Sequence, residues 1–246
     1  IVEEMQVIPG GDIIGLQIET DGILVLGTGE VTLRDGTIAE PAKGLLKSGA
    51  IITDVTGVKS TVVAEIQAML RPDVEFIAAH PMAGRERSGV LFSDDGVFRG
   101  ANYIVTPTEK NTPEAIGTCR ELGWLLGFAS VCELTPQEHD RMIAFLSQLT
   151  HCIAITLMTA NTDEGLARYT GDSFRDLTRI AKINDEMWSE LFLANREALL
   201  EQMDQFAAQF ALMRQQLAEG DREGMRDVMR RSTVRRKALE KHDERK

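Results

Sequence analysis

From residue 23 to residue 134 short apolar runs alternate with helix-period stretches, and the alternation stops at Thr135-Pro136. The runs at 23–29, 51–55, 74–79, 102–106 and 129–134 have the length and branched composition of buried strands. Between them, 40–47, 60–70 and 113–127 read as helices, the second with Val63, Ile66 and Leu70 at helical spacing. A chain ordered this way winds helices over both faces of a sheet, and ligands bind beyond the carboxyl ends of its strands. After Thr135 the sequence predicts helix almost throughout, over 136–160, 163–182, 185–219 and 222–241. Thr135 suits an N-cap, Pro136 the first helical position, and Gly220-Asp221 a break. The expected organisation is an α/β domain over 1–134 and an all-α domain over 135–246. Leu199, Met203, Phe206, Phe210, Met213 and Leu217 form one long apolar stripe, which needs a core or a dimer seam to cover it.

Bulk properties exclude several partners. A net charge of −11 disfavours nucleic acid and anionic membrane, and obliges an anionic substrate to be drawn in by local cations. No run reaches the ~18 to 20 consecutive apolar residues of a membrane span, and the start lacks the order of a secretory signal. A cytoplasmic protein is the expectation. Cys119, Cys132 and Cys152 are odd in number and lack metal-ligand spacing, which suits reduced thiols and implies no metal site.

Chemistry concentrates in a few segments. His80 to Gly89 follows the 74–79 run and gathers an imidazole, a proline, two glycines and Glu86 in ten residues, suited to an active-site loop at a strand end. Histidine titrates near pH ~6.5 when unperturbed, so at neutral pH His80 can accept a proton from a substrate hydroxyl. Gly27-Thr28-Gly29 closes the first run as a glycine turn, but Thr32 stands where a third fingerprint glycine would be. His139 lies in Glu-His-Asp at the start of the first long helix, where position alone suits an exposed first-turn histidine, and His151 three turns on suits packing. In 173–181, Asp176 and Arg179 are three apart, so the carboxylate can orient a guanidinium whose planar fork pairs bidentately with carboxylates.

The Asp54-Val55-Thr56-Gly57-Val58-Lys59 segment, the His-Pro-Met-x-Gly stretch at His80, and Ser173 to Ala181 followed by Trp188 together resemble the prephenate/arogenate dehydrogenase family, over about residues 23–241. The resemblance implies a Rossmann-like nucleotide-binding domain, apparently incomplete at its N-terminal side, followed by an all-α dimerisation domain forming a homodimer through the C-terminal helices. The first strand, the phosphate-binding glycine loop and the ribose-binding acidic residue would be expected upstream of residue 23, and about 22 residues are too few for a βαβ unit of roughly 30. Either a piece is missing or the cofactor cradle has been lost. The implied reaction is oxidative decarboxylation of prephenate or arogenate in tyrosine biosynthesis, with NAD or NADP as hydride acceptor and NAD the first choice. His80 would be the catalytic base. Arg179, His139, Glu86, Asp176, Trp188 and Thr135 would serve the small anionic substrate, and Gly27, Thr28, Gly29, Asp54, Val55, Thr56 and Gly57 the cofactor. Gly57 departs from the family's usual serine, which leaves open a dehydrogenase of a modified prephenate. A cofactor-free relative acting as a dimeric ligand-binding or regulatory protein is the other alternative.

Overall fold

The computed structural model describes residues 31–32, 38–39, 46–84 and 95–243. The strand and glycine turn expected at 23–29, most of the helix expected at 40–47, and Glu86 lie outside them. The chain divides into two compact units, residues 1–140 and 141–246.

In the first unit, β1 (Val31–Thr32) and β2 (Ile38–Ala39) pair antiparallel. β3 (Ile51–Ile52) runs parallel to β4 (Glu75–Phe76). β5 (Ala78–Met82) follows β4 after one residue and pairs antiparallel with β6 (Asn102–Thr106), which is parallel to β7 (Ser130–Glu133). Along 74–79 the side chains alternate between two cores. Val74, Phe76 and Ala78 pack with Ile52 and with Val63 of α1 (Ser60–Met69). Ile77 and Ala79 point the other way, joining Tyr103, Val105 and Phe128 with Ala115 and Cys119 of α2 (Pro113–Leu125). One strand run is thus buried on both faces, which accounts for its unbroken apolar composition.

Two expectations change here. The strand does not stop before His80; it carries His80, Pro81 and Met82, paired with Ile104, Tyr103 and Asn102. Proline is tolerated there because β5 lies at the edge of its three-stranded sheet. β3 is shorter than the 51–55 run, because the rungs after Ile52 are made differently. Glu75 and Ile77 donate their N–H groups to Ala50 and Ile52, but Ala79 donates to the Asp54 side chain.

Residues 136–159 are helical without interruption. α3 (Pro136–Ile143) passes through a π-helical stretch (Ala144–Leu149) into α4 (Thr150–Thr159). Thr135 caps its start: its hydroxyl accepts from the Glu138 N–H while Glu138 accepts from the Thr135 N–H and hydroxyl, a reciprocal capping box. By length and composition alone this helix passes for one that could cross a bilayer, its most apolar 18-residue stretch having a mean hydropathy of 1.6. Its apolar residues have a use inside the protein, since Ala144 and Leu149 pack with Leu199 in the core of the second unit.

The second unit continues through α5 (Asp172–Thr178), a 3-10 turn (Arg179–Ala181), α6 (Asp185–Ala194), α7 (Arg196–Glu219) and α8 (Arg222–Asp243). The single helix expected over 185–219 is in fact two. Asn195 breaks it: the residue is buried and its amide donates to Gln148 Oε1 at 2.8 Å, while Gln148 Nε2 donates to the Leu191 carbonyl at 3.0 Å. Gly220 ends α7 at φ +69°, the left-handed conformation expected of a helix-terminating glycine.

Candidate active site

Side-chain parity along β5 places His80 on the α1 face of the sheet, with Val74, Phe76 and Ala78. Against that face come the first turn of α3 and the N-terminus of α1. His80 Nδ1 lies 2.9 Å from His139 Nε2, and His139 Nδ1 lies 2.8 Å from Asp140 Oδ1. An ionised carboxylate only accepts, so His139 carries a proton on Nδ1; in the neutral ring its Nε2 lone pair then faces an Nδ1–H of His80. Nε2 of His80 is then left with its lone pair, and it has no partner among the described residues.

The Asp140 carboxylate does more than orient His139. Its Oδ1 accepts from the Lys59 N–H and its Oδ2 from the Ser60 N–H, both at 2.7 Å. No side chain of α1 itself caps the helix, so Asp140 caps it from 80 residues away. Burial works against the ionised form, but bonds from His139, Ser60 and Lys59 outweigh it and hold the carboxyl below the usual carboxylate range.

Lys59 joins this cap to the β5 backbone. The side chain is fully buried, and Nζ donates to Asp54 Oδ2 at 2.7 Å, to the Ala79 carbonyl at 2.6 Å and to Thr56 Oγ1 at 3.3 Å. Those three acceptors match the three protons of an ammonium. Burial lowers the Lys59 pKa, opposed by Asp54 and Asp140. Asp54 Oδ1 takes the Ala79 N–H at 3.0 Å, so the Asp54–Lys59 pair clamps both sides of the residue that precedes His80.

His80 therefore does not titrate like an ordinary histidine. Burial first, then the Lys59 ammonium and the electrostatic coupling to the His139 ring, push its pKa down to about 3, against a smaller pull from Asp140. It is neutral throughout the physiological range. The ordinary value near 6.5 expected from sequence is corrected by desolvation and by a buried cation.

His139 has no exposed surface and both ring nitrogens are committed, which leaves it no atom to offer a ligand. Thr135 is engaged in its capping box. The Asp54 carboxylate is occupied by Ala79, Thr56 and Lys59, and the Thr56 hydroxyl by Asp54, Val58 and Lys59. Of the 54–57 segment, Val55 and Gly57 are partly exposed at the carboxyl end of β3. That segment lies where the ligands of such sheets bind, beyond the strand ends. The neighbouring N-terminus of α1, elsewhere a phosphate site, is already filled by Asp140. Gly27, Thr28 and Gly29 lie outside the described residues.

Within the second unit, Arg179 opens the 3-10 turn after α5 and is exposed, as is Asp176 one turn earlier. Arg175 pairs instead with Asp172. Trp188 is half-buried on α6, its ring centroid 3.8 Å from that of His151 and 5.5 Å from that of Phe192. His151 Nδ1 donates to the Ser147 carbonyl at 2.9 Å. Sequence reasoning singled out His80 and His139 but assigned no site role to Lys59 or Asp140. The available signals were a lysine inside the apolar segment that follows Asp54 and a carboxylate adjacent to the helix-start histidine.

Comparison with known proteins accounts for both units. Residues 22–129 match the family model described as prephenate dehydrogenase, nucleotide-binding domain, and 135–231 match prephenate dehydrogenase, dimerization domain. The chain is 30% identical over 194 residues to the prephenate dehydrogenase of Bacillus subtilis, covering 76% of this chain and 52% of that protein. It is 29% identical over 210 residues to the cyclohexadienyl dehydrogenase of Zymomonas mobilis, covering 83% and 71%. The solved prephenate dehydrogenase of A. aeolicus, in complex with hydroxyphenyl propionate and NAD+, superposes with a TM-score of 0.73 at 28% identity, covering 80% of this chain and 70% of that one. The chain spans about half the length of the Bacillus subtilis relative and of the similar Lactococcus lactis prephenate dehydrogenase.

Proposed function

This chain belongs to the prephenate/arogenate dehydrogenase family, with an α/β nucleotide-binding domain followed by a helical domain, and from that premise we propose that it catalyses oxidative decarboxylation of prephenate or arogenate. The observation that carries this reading is the His80 imidazole, neutral at physiological pH and held at Nδ1 by His139 so that Nε2 is the accepting atom. A bound nicotinamide, NAD in the first instance, supplies the hydride acceptor.

The ring carbon bearing the substrate hydroxyl loses hydride as the hydroxyl proton passes to His80 Nε2. The C–O bond gains carbonyl character, and as the ring carboxylate leaves as carbon dioxide its C–C electron pair enters the ring, which becomes aromatic as the oxygen turns to phenolate and takes a proton back. General-base assistance of this kind contributes typically ~10² to 10⁴-fold. A neutral imidazole also adds no charge that would have to be lost before it accepts the proton.

Arg179 is assigned to a substrate carboxylate, with Asp176, Trp188 and Glu86 supporting the pocket. The backbone of 54–57, and Gly27 to Gly29 before it, is assigned to the cofactor. The division into residues 1–134 and 135–246, the cytoplasmic setting and a homodimer through the C-terminal helices belong to the same reading. The Thr56 hydroxyl is committed to Asp54, Val58 and Lys59, so it does not stand in for a serine at Gly57.

The test is to titrate NAD and NADP separately into the protein, then add prephenate or arogenate and follow absorbance of the reduced nicotinamide. Turnover that falls at least a hundredfold in His80→Ala with nucleotide affinity kept is the expected result. Binding of prephenate without reduction of either nucleotide would replace the dehydrogenase with a ligand-binding relative.

A further inference from the structure

Three side chains stand in line behind the proposed acceptor atom: His80, His139 and Asp140, with contacts of 2.9 and 2.8 Å. Each is constrained separately. Asp140 is fixed by the Lys59 and Ser60 amides at the start of α1, His139 sits in the capped first turn of α3, and His80 is held in β5 by the clamp on Ala79. Lys59 belongs to both ends of this arrangement, giving its backbone N–H to Asp140 and its ammonium to the Ala79 carbonyl.

The electrostatics differ from one imidazole to the next. A proton arriving on His80 meets the field of the Lys59 ammonium. A positive charge on His139 instead adjoins the Asp140 carboxylate directly, at 2.8 Å. Moving one proton between the rings therefore carries the charge from a cation's neighbourhood to an anion's, with no heavy-atom displacement.

Resting on the dehydrogenase reading above, we propose that His139 and Asp140 are positioning residues that hold His80 with its proton on Nδ1, and that His139 takes that proton as His80 accepts another at Nε2. The step balances. The substrate O–H bond breaks and an Nε2–H bond forms on His80; the Nδ1–H bond of His80 breaks and an Nε2–H bond forms on His139. The electron pair of the O–H bond stays on oxygen as the carbonyl forms, and no oxidant is needed beyond the nicotinamide of the proposed reaction.

Two measurements separate this from the parent reading. Nitrogen-15 imidazole spectra of the protein alone, without substrate or nucleotide, report the tautomer directly. At pH 7 each ring is expected to carry its proton on Nδ1, and Asp140→Asn is expected to shift both toward mixed tautomers. A wild-type His80 protonated on Nε2, or averaged between the two forms, overturns the positioning role whatever the protein turns over.

The second is a proton inventory of kcat in mixed light and heavy water. Wild type should give a curve bowed by two transferred protons, and His139→Gln a straight line. Glutamine can still accept from His80 Nδ1 through its side-chain oxygen but cannot take the proton, so the tautomer should persist while kcat falls with KM little changed. A straight line already in wild type overturns the transfer. Absence of any turnover would count against the dehydrogenase reading and leave the spectra as the test of the tautomer.

Discussion

Lys59 is completely buried, and Phe210 is 66% exposed. Each residue is on the side of the protein surface where its type is seldom found, and the two units resolve the anomaly in opposite ways. Around Lys59 every polar group finds its partner within the unit: three acceptors for the ammonium, and amides for both oxygens of Asp140. On α7, Met203, Phe206, Phe210 and Leu217 are exposed in a row at helical spacing, and the core of the second unit does not take them in. A buried charge is tolerated only with its partners already in place, which suits a site that must be rigid before substrate arrives. An uncovered apolar stripe is tolerated only where association covers it.

The largest effect should come from breaking the first arrangement. Lys59→Met leaves the Asp54 carboxylate buried without its cation, and loss of one member of such a pair costs about 3 to 5 kcal/mol. Urea denaturation should show the midpoint falling accordingly. The double variant Lys59→Met, Asp54→Leu should recover much of the stability while losing the clamp on Ala79. A small loss in Lys59→Met would mean that water reaches the pair and that the cluster is less rigid than its geometry.

The second region breaks differently. Phe210→Asp puts a carboxylate into the stripe without touching the core formed by Ala144, Leu149 and Leu199. If the stripe is the dimer seam, sedimentation should show the dimer weakened by about a hundredfold or more, because an unpaired charge there costs several kcal/mol. The helical circular dichroism should be kept at concentrations where the variant is monomeric. Unchanged sedimentation would place the seam elsewhere.

How far sequence led depends on how local the physics was. α1 was expected over 60–70 and found at Ser60–Met69, and β6 was found as expected, since a 3.6 or a 2.0 period is written into adjacent residues. The break at Asn195 was not legible, because it depends on Gln148, 47 residues away. Pro81 read as the end of a strand, yet pairing with Tyr103 carries β5 past it. The same division holds at the site. His80 announced itself through its motif, but the bonds that set its tautomer and charge reach it from Asp140 and from Lys59, and Asp140 meets the Lys59 amide across 81 residues of sequence.

A pH experiment sharpens the contrast at the site itself. The unfolded chain binds a proton on His80 below pH ~6.5, whereas the folded protein does so only near pH 3. This stabilising contribution is fully present above pH ~6.5 and is lost progressively as pH falls toward 3. Between pH 6.5 and 5 the loss from this residue is about 2 kcal/mol. Wild type should therefore lose more stability than His80→Asn over that interval, the subtraction removing the acid loss from carboxylates such as Asp140. Equal losses would show His80 titrating as an exposed histidine does, and the rigid, desolvated site would have to be abandoned.

The smallest effect belongs to a helix end that neither anomaly touches. Gly220 sits at φ +69°, with the Asp221 N–H donating to the Gln216 carbonyl at 2.8 Å, the six-to-one bond that closes a left-handed helix terminus. A Cβ at Gly220 would meet no heavy atom within 4 Å, so Gly220→Ala carries only the backbone strain of the left-handed region, about 1 kcal/mol. The urea midpoint should drop slightly, with dimer mass and turnover unchanged. A larger drop, or a change in dimer mass, would mean that the angle between α7 and α8 is itself part of the association surface, and the stripe around Phe210 would then have to be read together with α8.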